Sequence, residues 1–150
     1  EQEKLHAILE MACAAPSAGD LQSYRVGVAR SQADRDALSQ AAGGQGFLAE
    51  APVCLAFCAD AARAATKYGE RGRQLFALQD ATIAATYAQL AAVAAGLASA
   101  WVGSFDEQEV RRILDVEPSL VPVALVAVGY AAELPELTPR RPLDEVVKYL

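Results

Sequence analysis

The chain has 150 residues, of which 53% are apolar and 21% charged, and a formal net charge of −6. A chain of this length buries roughly 68–70% of its unfolded surface, so it can close one core, and its apolar content excludes a disordered protein. The acidic balance, with no basic stripe to offset it, excludes a broad nucleic-acid footprint.

Leu5, Ile8, Leu9 and Ala12 recur at helical spacing over 3–15, and Pro16 stops that helix. Ser17 to Gln22 is small and polar, and reads as a loop. Tyr24 to Ala29 reads as a strand with Val26 and Val28 on one face. Ala33 to Ala42 is a short helix that Gly43-Gly44 ends. Val53 to Ala59 is an apolar run typical of a strand covered on both faces. Arg63 to Arg73 is charged, holds two glycines and reads as mobile surface with at most a helical turn. Leu75 to Ala95 is a long, Ala-rich helix, apolar nearly all round, which suits a central or interfacial position. Ala100 to Val102 is a short strand. Ser104 and Glu107 have the spacing of a capping box for a helix running to Leu114. Pro122 to Val128 is a fourth strand, followed by a proline-rich tail over 133–142 and a short element at Leu143 to Leu150. This alternation of helix and strand suggests α/β layers and, on its own, a parallel sheet.

Cys13, Cys54 and Cys58 form an odd set with no framework spacing, as expected of a reducing, cytoplasmic compartment. Within one strand Cys54 and Cys58 stand about 13 Å apart, beyond disulfide reach, and are expected as small core residues. Glu1 to Glu10 is charged and amphipathic, unlike a signal peptide. Ala81 to Trp101 is about long enough to cross a bilayer, but Gln79, Asp80 and Gln89 flank or interrupt it. A buried helix and no membrane partner are expected.

Chemistry has few places to sit. His6 is the single histidine, on an amphipathic helix where a surface position is expected. Zinc-ligand spacing, a P-loop and a GxGxxG turn are all absent, so no metal is expected and hydrolytic catalysis has little support. A cofactor can carry the chemistry instead. Three segments could hold one. Pro16 to Arg25 (PSAGDLQSYR) combines backbone N–H groups with the side chains of Ser17, Asp20 and Gln22, suited to the polar edge and ribityl hydroxyls of a flavin. Arg140-Arg141-Pro142 places two guanidinium forks between prolines, a candidate phosphate site. In Trp101-Val102-Gly103-Ser104-Phe105, Gly103 permits close backbone approach ahead of a helix start. Taken singly, each also fits an ordinary turn or a solvated arginine pair.

In order, these pieces resemble the nitroreductase family of FMN-dependent oxidoreductases. Pro16 to Tyr24 is similar to a PSAxNxQPW loop, and Phe47 to Val53 to an FxxxAPV stretch. Gly96 to Phe105 is similar to GLxxxWxGxF, and Pro139 to Val147 to PRxPLxEVV. The order and rough spacing hold over nearly the whole chain. The resemblance implies an α+β fold, a central, mostly antiparallel sheet flanked by helices, with the Ala-rich helix at the interface of a homodimer that carries two FMN sites. It implies an NAD(P)H-dependent flavin oxidoreductase that passes a hydride by ping-pong turnover to a nitroaromatic, quinone or similar small-molecule acceptor. Carried over residue by residue, Ser17, Ala18, Asp20 and Gln22 contact FMN. Gly103 and Ser104 offer backbone groups near the isoalloxazine, and Arg140 and Arg141 hold the phosphate. Gln45 is a weaker candidate, and no catalytic residue is named.

Two departures bear on this reading. Asp20 stands where the family has Asn, and an ionised carboxylate accepts hydrogen bonds but donates none. The sequence begins after the family's Arg-rich RRSxR-like segment, so the expected unit is one nitroreductase-like domain over 1–150 lacking that segment. The rival expectation is a dimeric interaction protein on the same scaffold, with or without flavin, that performs no turnover.

Overall fold

The computed structural model describes residues 1–150. The first half of the chain forms α1 (Gln2–Cys13), a 3₁₀ turn (Ala18–Asp20), β1 (Tyr24–Ala29), α2 (Gln32–Ala41), α3 (Gly46–Glu50) and β2 (Val53–Asp60). The second half forms α4 (Ala61–Arg71), a π turn (Gly72–Phe76), α5 (Ala77–Ala94), β3 (Ala98–Val102), α6 (Glu107–Leu114), β4 (Leu120–Gly129) and α7 (Leu143–Val146).

The four strands lie in the order β1-β2-β4-β3, and every pairing is antiparallel. The parallel sheet suggested by helix–strand alternation is therefore wrong, and the antiparallel sheet implied by the family resemblance is right. The register shows why. Ala29, the last residue of β1, faces Cys54 near the start of β2. The α2–α3 excursion doubles back at Gly43-Gly44 and returns the chain to the end of the sheet it left. A parallel crossover would have to carry the chain the full strand length back.

β2 is buried at every residue but Asp60, because helices cover both of its faces. Leu55, Phe57 and Ala59 pack with α1 and the alanines of α5, Ala77, Ala81, Ala84, Ala85, Ala88 and Ala92. Cys54 and Ala56 face the other way, against Leu38 of α2, Leu48 of α3 and Val110 of α6. Small side chains on α5 let it lie close against the sheet. No helix is long and apolar enough to cross a membrane.

Two local expectations need correction, and one short helix was not expected. The segment from Arg63 to Arg73 is a helical corner, not mobile surface. Gly69 leaves helical space (φ 55°, ψ −138°) and turns the chain between α4 and the helix that follows. Gly72 is buried inside the corner, where a Cβ would stand 2.5 Å from the Ala64 carbonyl oxygen and 2.8 Å from Tyr68 Cβ. Gly69 supplies a backbone conformation that other residues rarely adopt, and Gly72 a tight contact that a larger residue would block. At α6, Asp106 rather than Ser104 is the cap, its Oδ1 accepting from the amides of Gln108 (2.9 Å) and Glu109 (3.0 Å). A carboxylate at this position also meets the positive end of the helix dipole. The five-residue α3 is too short to leave a periodic signal.

Candidate functional site

The loop from Ser17 to Ser23 joins α1 to β1 in an unusual conformation. Gly19, Asp20 and Gln22 all have positive φ, at 56°, 55° and 50°. For a residue with a Cβ, this region costs about 1–2 kcal/mol. Surrounding contacts hold the loop there. Ser17 Oγ accepts from the Gln22 amide at 3.0 Å, closing the loop on itself. From below, Asp80 of α5 offers both carboxylate oxygens. Oδ1 accepts from the Ala18 amide at 2.9 Å and Oδ2 from the Ser23 amide at 3.3 Å. Asp80 is 2% exposed and is the one charged residue in Ala77–Ala94. Tyr24, whose hydroxyl donates to the Ala12 carbonyl at 3.3 Å, ties the loop's far end to α1. Burial raises its phenol pKa above the ordinary value.

Bracing from behind leaves the loop's outer groups uncommitted. The side chains of Asp20 and Gln22 are exposed, and the Gly19 amide makes no hydrogen bond within the chain. Ser23 Oγ is fully buried with no partner. The family loop has Pro at this place; the Ser23 amide makes a bond to Asp80 that Pro has no N–H to make. Above the loop lies α4. Arg63 Nε donates to the Leu21 carbonyl. Lys67 Nζ and Tyr68 Oη meet over Gly19, where a Cβ would stand 2.7 Å and 2.5 Å from them. The reading from sequence missed Asp80, Arg63, Lys67 and Tyr68 as site residues. The signal for Asp80 was its isolation: a single carboxylate in an otherwise uncharged helix.

The other expected site residues lie elsewhere in the protomer. Gly103 and Ser104 follow β3 on the far edge of the sheet, three strand spacings or about 14 Å from β1. They also belong to the opposite layer, because Phe105 packs with α2 and α6 and the Asp106 amide donates to the Ala41 carbonyl at 2.9 Å. Their amides make no hydrogen bond within the chain. Arg140 and Arg141 sit in a tail whose residues 131–150 are all exposed. Arg140 Nη1 donates to the Thr138 carbonyl at 3.1 Å, and Arg141 Nε lies 3.2 Å from Glu145 Oε2. Neither arginine reaches the loop of its own chain. Gln45 caps α3, and its carbonyl accepts from Ser39 Oγ at 2.9 Å.

The remaining reactive side chains offer little chemistry. His6 is exposed, 3.3 Å from Glu10. Cys54 and Cys58 are buried thiols, and burial pushes their pKa values up to about 12 and about 11. Thiols held so far from ionisation are poor nucleophiles.

Comparison with known proteins places this geometry. A model of the Nitroreductase family matches residues 36–130. A Thermus thermophilus protein named NADH dehydrogenase is 35% identical over 95% of this chain and 83% of its own length. A Bacillus subtilis protein named FMN reductase [NAD(P)H] is 30% identical over 97% of this chain, which spans 64% of that relative's length. The solved structure of the hypothetical oxidoreductase YcnD from Bacillus subtilis superposes with a TM-score of 0.90 at 30% identity, covering 100% of this chain and 67% of that one. The antiparallel sheet between two helical layers, the ordered loop before β1 and these matches lead to one conclusion: the chain belongs to the Nitroreductase family.

Proposed function

We propose that this protein is an NAD(P)H-dependent FMN oxidoreductase, acting as a homodimer with two flavin sites at the subunit interface. The observation that carries the reading is the loop from Ser17 to Gln22. It is held in a strained conformation from behind by Asp80, while Asp20, Gln22 and the Gly19 amide remain free on its outer side. Strain maintained by buried contacts is characteristic of ligand sites. The free groups are the donors and acceptors that a flavin's pyrimidine edge and ribityl chain require.

Each residue has a proposed task. Ser17, Ala18, Asp20 and Gln22 bind and orient FMN. The uncommitted amides of Gly103 and Ser104 meet the isoalloxazine, and Arg140 and Arg141 hold the phosphate. When bound, FMN supplies the redox chemistry, a ping-pong transfer of hydride from NAD(P)H to a nitroaromatic, quinone or similar small-molecule acceptor. Asp20 offers acceptors only, so it suits an N–H or hydroxyl of the cofactor rather than a carbonyl.

The separation of these groups supports the dimer. They lie in two layers and on an exposed tail, so the proposed site would draw on two copies. Leu78, Thr82, Thr86, Leu90 and Val93 form one uncharged stripe along α5, and Leu90 and Val93 are 64% and 67% exposed. A stripe of this kind suits a partner better than water. A cytoplasmic location is part of the same proposal, supported by three free thiols.

The test is direct. FMN is titrated into the purified protein, followed by NADH or NADPH under anaerobic conditions and then by a nitroaromatic or quinone. The proposal expects saturable FMN binding, bleaching of the flavin's visible band by the dinucleotide and recovery on adding acceptor. Absence of FMN binding at high cofactor concentration overturns it. Binding without bleaching leaves a flavin-binding protein that performs no turnover.

A further inference from the structure

The corner formed by α4 and the π turn has a charge pattern that the flavin reading does not use. From Ala61 to Phe76 there are four cations, Arg63, Lys67, Arg71 and Arg73, against the single carboxylate Glu70, in a chain with a net charge of −6. Arg73 lies 3.6 Å from Glu70, and Arg71 lies over the Phe76 ring. Arg63 and Lys67 turn the other way. Four residues apart, they share one helix face, and that face is set against the loop. Neither has a carboxylate within ion-pair distance. In contrast, Lys4, Arg111 and Arg112 each pair with a glutamate, and Arg35 is taken up by the carbonyls of Arg30 and Pro52.

The two cations are held in place, not waving in solvent. Arg63 Nε is committed to the Leu21 carbonyl, which fixes the guanidinium plane and leaves its terminal nitrogens available. Lys67 Nζ lies 5.5 Å from the centre of the Tyr68 ring, and that ring packs edge-on against Phe76 at 5.0 Å. Tyr68 Oη and Lys67 Nζ converge at Gly19, and neither makes a hydrogen bond within the chain. A planar fork, an ammonium and a hydroxyl thus lie beside the loop with their donors unspent.

We propose that Arg63 and Lys67, with Tyr68 Oη beside them, form a phosphate-binding site for a nucleotide at the loop. The fork takes two phosphate oxygens, while the ammonium acts as a point charge. The phosphate can belong to the diphosphate of the dinucleotide reductant or to FMN itself. The dinucleotide is favoured, because Arg140 and Arg141 are the proposed holders of the flavin phosphate. The nucleotide's identity rests on the oxidoreductase reading; the phosphate site does not.

The test uses ADP-ribose, which has the dinucleotide's diphosphate but no nicotinamide, and compares FMN with riboflavin, which lacks the phosphate. Binding of each is measured by calorimetry or fluorescence with wild type, Lys67→Gln, Lys67→Arg and the double variant Arg63→Gln/Lys67→Gln. Lys67→Gln should weaken ADP-ribose binding about tenfold, in line with loss of one charge-assisted contact at a half-open site. Lys67→Arg should restore most of it, and the preference for FMN over riboflavin should not move. Loss of that preference with ADP-ribose unchanged assigns the site to the flavin phosphate instead and leaves the site standing. Wild-type behaviour of the double variant in both arms overturns the proposal. Lys67-dependent ADP-ribose binding in a protein that takes up no FMN would keep the phosphate site and remove the oxidoreductase reading.

Discussion

Oδ1 of Asp80 accepts the amide of Ala18 at 2.9 Å, joining the first turn of α5 to a loop 62 positions earlier in the chain. Its Oδ2 reaches Ser23, so one buried carboxylate grips the loop at both ends. Asp80→Ala leaves two amides without their acceptor and should cost about 2–3 kcal/mol in urea unfolding. Asp80→Asn keeps one acceptor oxygen and should cost less. Amide exchange at Ala18 and Ser23 should speed up in both variants, and FMN affinity should fall with it. Unchanged exchange at these two amides would show that the loop holds itself.

Gly72 tests the corner. In Gly72→Ala the new methyl meets the Ala64 carbonyl oxygen, a backbone atom with little room to move, and stability should fall by about 1–3 kcal/mol. Gly46→Ala is the control. Its Cβ would stand 3.6 Å from Glu50 Oε1 at the start of a helix, so stability should stay the same or rise slightly. Equal effects from the two substitutions would contradict the close packing at Gly72.

The cysteines give a pH test. Burial raises the Cys54 and Cys58 pKa values above the unfolded value, to about 12 and about 11. The unfolded chain ionises first, so their contribution is complete below the unfolded thiol pKa. It is lost as pH rises from about 9 through the folded values. Urea midpoints should therefore fall above about pH 9 in wild type and fall less in Cys54→Ala/Cys58→Ala. In native protein at neutral pH, a maleimide should label the exposed Cys13 and reach the other two only on unfolding.

The exposed tail tests the shared site. Truncation after Tyr130 removes residues that make no part of either core. The α+β body should keep its far-ultraviolet circular dichroism while FMN affinity drops at least tenfold, as expected if charge-assisted phosphate contacts are lost. Arg140→Ala should do the same more weakly. Leu90→Glu, on the uncharged stripe of α5, should shift sedimentation toward monomer and weaken FMN binding in parallel. A fully dimeric Leu90→Glu variant would place the interface elsewhere.

Much of the fold is written in local pattern. Tyr24–Ala29 is legible as a strand from its own residues, and the apolar run at Val53 has no face to leave in water. The Ala-rich helix is legible because alanine at nearly every turn leaves no polar side. Likewise, the motif order over Pro16 to Val147 identified the family. Strand direction was not local: it depends on whether the α2–α3 connection doubles back, which is a matter of packing. The corner at Gly69 and Gly72 also escaped, because glycine serves a mobile loop and a tight contact alike.

For the candidate site, the sequence by itself determined which loop is special: small residues, Ser17, Asp20 and Gln22 between a helix and a strand. Only the tertiary structure decided what holds it and what faces it. Asp80, Arg63, Lys67 and Tyr68 come from segments 40 or more positions away, and their chemistry exists only once α4 and α5 pack across the loop. The tertiary structure also separated what the sequence listed together, setting Gly103, Ser104 and the two tail arginines apart from the loop in one protomer. Short-range propensity reports conformation; a carboxylate's partner, or a cation's lack of one, is a property of packed surfaces.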